Sequence, residues 1–124
     1  MKKIAIASDD GIHIAGHLGR ALGFIIYETD GIEIINSYYR KNDFTGHARG
    51  LNRAGHQADR HGPVLTALND CEAVISHGMG RRIYDDLYRA GIRPFIVSET
   101  DARRAIDMYV SDILKDEPDL GCEH

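Results

Sequence analysis

The sequence predicts an α/β domain of order β-β-β-α-β-α-β-α, built on a mixed five-stranded sheet. Three observations carry this. Short β-capable apolar runs crowd the first forty residues, separated by turn signals at Ser8-Asp9-Asp10-Gly11 and Asp30-Gly31. A polar stretch, Asn42 to Gly62, interrupts the pattern. Beyond it, helical periodicity and buried strands alternate, as in β-α-β crossovers that add parallel strands to a meander.

Taken in order, Lys3 to Ala7 is a short apolar strand that stops at the first turn signal. Phe24 to Tyr27 reads as a second strand, and Asp30-Gly31 as a hairpin turn into a third, Ile32 to Tyr39. Gly62-Pro63 suits a helix start, with Val64, Leu65 and Leu68 on its apolar side. Ala73 to Ser76 is a buried strand. Ile83, Leu87 and Ala90 recur at helical spacing, and Gly91 serves as C-cap. Pro94 to Val97 is the fifth strand. Thr100 or Asp101 caps a last helix with the stripe Ala102, Ala105, Ile106, Tyr109, Val110 and Ile113. Residues 1–114 make one domain, and 115–124 a loose acidic tail. In sheets of this kind ligands gather beyond the carboxyl ends of the parallel strands. Three loops should meet there: Ser8 to Arg20, His77 to Arg82, and Ser98 to Asp101.

Composition narrows the function. The net charge of −4 argues against nucleic acid or an anionic membrane as partner, since both favour a basic face. No stretch is long enough to span a bilayer, and Asp9-Asp10 ends the first apolar run before it could act as a secretion signal. The expected location is the cytoplasm. With only Cys71 and Cys122, an iron–sulfur cluster held by four cysteines of one chain is excluded by count.

The histidines carry the chemistry. Five of the seven adjoin a glycine: Gly16-His17, Gly46-His47, Gly55-His56, His61-Gly62 and His77-Gly78. Glycine allows a sharp turn and close approach of a ligand, and imidazole is the commonest side-chain metal ligand. The pattern points to a site that grips a metal or an anion. Ser76-His77-Gly78-Met79-Gly80-Arg81-Arg82 joins a strand to a helix, where backbone amides and the helix dipole favour an anion. It lacks the Gly-Lys-Ser/Thr ending of a phosphate loop and the third glycine of a dinucleotide fingerprint. A magnesium nuclease would need acids beyond Asp9 and Asp10, and strand four ends in Ser76-His77 instead. Tyr84 and Tyr88, one turn apart, make a helix face or a homodimer contact.

Several of these segments together resemble the nitrogenase iron–molybdenum-cofactor biosynthesis and carrier family. They are the Asp-ended strand Ile4 to Gly11, the motif His17-Leu18-Gly19-Arg20 followed by Phe24, the Gly/His-rich middle loop, and Ala73 to Arg82 with Ala90-Gly91-Ile92 closing its helix. The resemblance implies a ribonuclease-H-like three-layer α/β/α fold, with residues 1–114 as cofactor-binding domain. It implies a cytoplasmic carrier of an anionic metal–sulfur cluster or precursor, of the iron–molybdenum kind. The carrier would act in cluster assembly, storage or delivery with assembly or acceptor proteins, and would not turn over substrate. The cluster would meet His17, Gly19, Arg20, Ser76, His77, Gly78, Gly80 and Arg81, with His17, His47, His56 and His61 as metal ligands. The middle loop has no cysteine, so thiolate ligation there is not expected. Two other readings stay open: a small enzyme acting on a phosphorylated metabolite, with His17 or His77 as general base, and a regulatory domain working through protein contacts.

Overall fold

A computed structural model of the chain describes residues 2–42, 65 and 68–117. Five strands form one sheet: β1 (Lys2–Ser8), β2 (Gly23–Thr29), β3 (Ile34–Lys41), β4 (Ala73–Ser76) and β5 (Arg93–Ile96), in the order β3-β2-β1-β4-β5. β1–β2 and β2–β3 pair antiparallel, whereas β1–β4 and β4–β5 are parallel. The expected mixed sheet is therefore present.

Side chains alternate across the sheet, and this alternation sorts the core into two layers. Ala5, Ala7, Phe24, Ile26, Val74 and Ile96 face one side, where helix α1 (Arg81–Arg89) adds Ile83 and Leu87. Ile4, Ile6, Ile25, Ile75 and Phe95 face the other, where α2 (Ala102–Val110) adds Ala102, Ala105 and Ile106. β1 is sandwiched between helices, which is why it reads as an unbroken apolar run.

Three boundaries depart from the expectation, each for a local reason. Asp30 Oδ1 accepts the amides of Ile32 and Glu33 at 2.8 and 2.9 Å, so these residues belong to the turn and β3 begins at Ile34. Ile32 is consequently 84% exposed. α2 stops at Val110, because Asp112 takes a left-handed φ of 63°; Ile113 thereby leaves the apolar stripe. From the expected tail, Glu117 donates its amide to the Ile96 carbonyl at 2.7 Å, and Asp116 accepts the Ile96 amide at 2.8 Å and the Tyr84 hydroxyl. Of the helix expected after Gly62-Pro63, Leu65 is helical and Leu68 is fully buried. Cys71 is buried at the turn into β4. Among the described residues, no helix is long and apolar enough to cross a membrane.

Candidate functional site

The loops after β1, β4 and β5 meet at the carboxyl ends of the parallel strands, stitched by backbone bonds. His77 donates its amide to the Ala15 carbonyl at 3.1 Å, and Leu18 donates to Gly78 at 2.9 Å. Ile14 donates to Thr100 at 2.8 Å, and Ala102 to Ile12 at 3.0 Å. Loops knitted in this way hold their side chains on a rigid frame rather than a floppy one.

His17 caps a single 3-10 turn, Leu18–Arg20, and its Nδ1 accepts the Gly19 amide at 3.1 Å. An accepting Nδ1 carries no proton, so the ring proton resides on Nε2. A metal bond through Nε2 would require that proton to move to Nδ1 and the cap to open. Gly19 spends its amide on this cap, while Arg20 is exposed at the end of the turn. From β3, Asn42 grips the same turn, donating Nδ2 to the Ala21 carbonyl at 2.8 Å and its amide to Leu22 at 2.9 Å.

The loop after β4 divides its residues between support and display. The Ser76 hydroxyl is fully buried and donates to the Gly78 carbonyl at 3.0 Å, so it braces the turn from below. Gly80 is exposed at the N-cap of α1 and makes no side-chain cap bond; a Cβ there would meet open space. Arg81 and Arg82 follow on the surface. Among the described residues, α1 therefore starts with no side-chain cap bond, an arrangement that favours anions. His77 is half-buried, and its Nε2 lies 2.6 Å from the Glu99 carbonyl. A carbonyl only accepts, so Nε2 holds the proton in that contact.

The structure thus sets the His17 turn, with Gly19, against His77 and the buried Gly78 through the Leu18–Gly78 and His77–Ala15 bonds, with Ser76 bracing from beneath; Arg20, Gly80 and Arg81 are exposed on the segments that follow. His47, His56 and His61 lie outside the described residues. Among the described residues, no three His, Cys, Asp or Glu side chains are grouped to hold a metal ion. Burial pushes the Cys71 thiol up to about 12, so it stands as a protonated, buried side chain of the core.

Sequence reasoning missed two contributors. Asp10 Oδ2 lies 2.7 Å from His13 Nδ1, and Asp10 Oδ1 takes the amides of Ile12 and His13 at 2.8 and 2.7 Å. The His13 hydrogen bond, followed by those amides, holds the Asp10 carboxyl well below the usual carboxylate range, and the same hydrogen bond raises His13. Asp10-x-x-His13 spacing was the available signal. Gly23 was the other: a Cβ there would lie 2.5 Å from the ring of Tyr39, whose hydroxyl reaches over to the Ser8 carbonyl at 2.8 Å.

Comparison with known proteins places this arrangement. The sequence profile of the dinitrogenase iron–molybdenum cofactor family matches residues 1–112. The chain belongs to that family. No curated protein matches it closely. Among solved structures it is similar to PH0822, with 16% identity, a TM-score of 0.70 and coverage of 95% of this chain and 97% of that one. It is similar also to the apo form of the orange protein of Desulfovibrio gigas, at 17% identity and TM-score 0.67, covering 94% and 93%. The Thermotoga protein TM1290 matches at 22% identity and TM-score 0.65, again covering 94% and 93%. At these identities the structural likenesses establish the fold. In sheets of this kind ligands gather beyond the carboxyl ends of the parallel strands, where these loops meet.

Proposed function

We propose that this protein is a carrier for an anionic metal–sulfur cluster or its precursor, of the iron–molybdenum kind, and that it acts in assembly, storage or delivery to an acceptor protein. The observation that carries this reading is the Leu18–Gly78 joint, which sets the His17 turn against the uncapped start of α1. Sulfido ligands are anionic acceptors. The α1 amides, Arg20 and Arg81 would face them as donors and positive charge, beside the His17 turn. The donor set fits a cargo that brings its own sulfur and must later be surrendered. Imidazole and amides bind it without the tight chelation of several thiolates. The middle-loop histidines His47, His56 and His61 would add ligands when that loop meets the cargo.

The test is titration of the parent protein and of His17→Ala with a synthetic thiometallate, followed by visible absorption and metal stoichiometry. The parent should develop a charge-transfer band with stoichiometric metal. Loss of His17 should weaken binding at least ~10-fold, the usual scale for removing a group that holds or orients a metal. A parent that binds no thiometallate overturns the proposal.

A further inference from the structure

β3 is the least covered strand of the sheet. It lies at one end of the strand order, and Ile35 to Tyr39 are exposed in an unbroken run. Within that run Ile35 is 49% exposed and Tyr39 41%. The pairing with β2 decides which backbone groups are left over. Asn42 donates its amide to the Leu22 carbonyl at 2.9 Å, one step beyond the Gly23–Lys41 pair. Hydrogen-bonded pairs alternate along an antiparallel ladder, so Arg40, Tyr38 and Asn36 spend their amides and carbonyls on β2. Ile35, Ser37 and Tyr39 turn theirs to the outer border. Among the described residues nothing bonds to them there.

Sheet borders are commonly guarded by proline, by charge or by a covering segment. The outward positions Ile35, Ser37 and Tyr39 carry neither proline nor charge. Tyr39 is also preset: its hydroxyl donates to the Ser8 carbonyl at 2.8 Å, and its ring lies over Gly23. Charge is confined to the two ends of the strand and differs in sign, with Glu33 just before it and Arg40 and Lys41 at its close. Among the described residues, neither Glu33 nor Lys41 is in an ion pair. An antiparallel strand of the same sequence sets each acidic end beside the other's basic end, whereas a parallel one sets like against like. The two-fold axis that matches the outward groups passes through Ser37. It pairs Ile35 of one copy with Tyr39 of the other, Ser37 with Ser37, and Glu33 with Lys41.

We propose that β3 docks a second copy of this chain, antiparallel about Ser37, and so joins two five-stranded sheets into one of ten strands. Ile35, Ser37 and Tyr39 of each copy then exchange amide–carbonyl bonds across the border. Ile35 packs on Tyr39 twice, and Glu33 meets Lys41 twice. Aromatic–β-branched and opposite-charge pairs are the cross-strand contacts that stabilise a ladder. The inference is independent of the carrier reading, because none of the residues assigned to the cargo takes part.

Sedimentation equilibrium of the full chain measures the association, and amide hydrogen exchange locates it. The parent should form a dimer with a Kd below about 1 mM. The Ile35, Ser37 and Tyr39 amides should exchange freely in the dilute monomer and become protected as the dimer fills. Ser37→Pro removes the central outward donor while sparing the bonds to β2, and should weaken the dimer at least ~10-fold. Lys41→Glu brings like charges together and should weaken it roughly 3-fold or more. Adding Glu33→Lys to Lys41→Glu should restore the parent's affinity, which a merely misfolded variant would not do. A parent that stays monomeric at about 1 mM overturns the proposal. So do Ile35, Ser37 and Tyr39 amides already protected in the dilute monomer, since the chain would then cover its own border. A dimer indifferent to both Ser37→Pro and Lys41→Glu puts the contact elsewhere and overturns it as well.

Discussion

Two helices begin at the same mouth, and they begin differently. α2 is closed by its own aspartate: Asp101 accepts the amides of Arg103 and Arg104 at 2.9 and 3.4 Å. α1 follows Gly80 and, among the described residues, has no side-chain cap bond at its start. A carboxylate at a helix start satisfies the orphan donors and cancels the positive end of the dipole. α2 is thereby finished as a structural element and repels a second anion, whereas α1 gives up a capping bond and keeps its donors for something else. Among the described residues, the start after β4 is the one of the two that has no side-chain cap bond, and the carrier proposal places its anionic ligand there.

The largest expected effect comes from making the first start resemble the second. Gly80→Asp places a carboxylate in open space at the α1 N-cap. Thiometallate affinity should fall at least ~10-fold, about 1.4 kcal/mol, as charge and cap compete with the ligand. Stability should hold or rise by a few tenths of a kcal/mol, about the usual difference between aspartate and glycine caps. Opposite signs in the binding isotherm and the urea midpoint are the outcome to look for; equal affinity would mean that the α1 start is not used.

The converse change, Asp101→Ala, should cost about 1 kcal/mol of stability by urea denaturation, within the range for lost caps. It should leave thiometallate affinity within about twofold, far short of the tenfold that 1.4 kcal/mol represents. Binding that collapses with this cap would put the ligand on the β5 side.

The smallest effect sharpens the α2 side further. His13, which bridges to Asp101, pairs with Asp10. Its raised value means that this pairing contributes fully below about pH 6.5, the ordinary imidazole value, and is lost as pH rises through the folded value. Asp10, held low, adds its share above about pH 4 and loses it as pH falls through its folded value. The pair is therefore strongest between about pH 4 and about pH 6.5. An NMR titration should put the His13 midpoint above that of a peptide histidine, and Asp10→Asn should bring it back. A His13 midpoint indifferent to Asp10 would break the pairing.

How much of this could be read beforehand follows a physical line. Strand cores were legible because burial selects apolar runs such as Ile4 to Ala7 and Ala73 to Ile75. Asp101 could be seen as a cap from its place before an apolar stripe. The start of β3 was missed because one side chain, Asp30, captured two amides that the alternation assigned to a strand. The convergence of three loops followed from topology, so the neighbourhood of His17 and His77 was legible. Their tautomers were not. His77 is set by a carbonyl 22 residues away, and no local pattern encodes that contact. Tyr39 over Gly23 is hidden in the same way, since it depends on the register of two strands.

The outer rim of β5 has a consequence for how this molecule behaves in company. Arg93 and Val97 turn their amides inward to Glu72 and Ser76, so the outward places on this strand fall to Pro94 and Ile96. Proline has no amide to offer, and the Ile96 amide and carbonyl are both taken by Asp116 and Glu117. A foreign strand arriving there finds one place without a donor and the next already engaged. The last described residues thus act as a selvage, a finished border that stops the sheet from being extended by a stranger's backbone on that side.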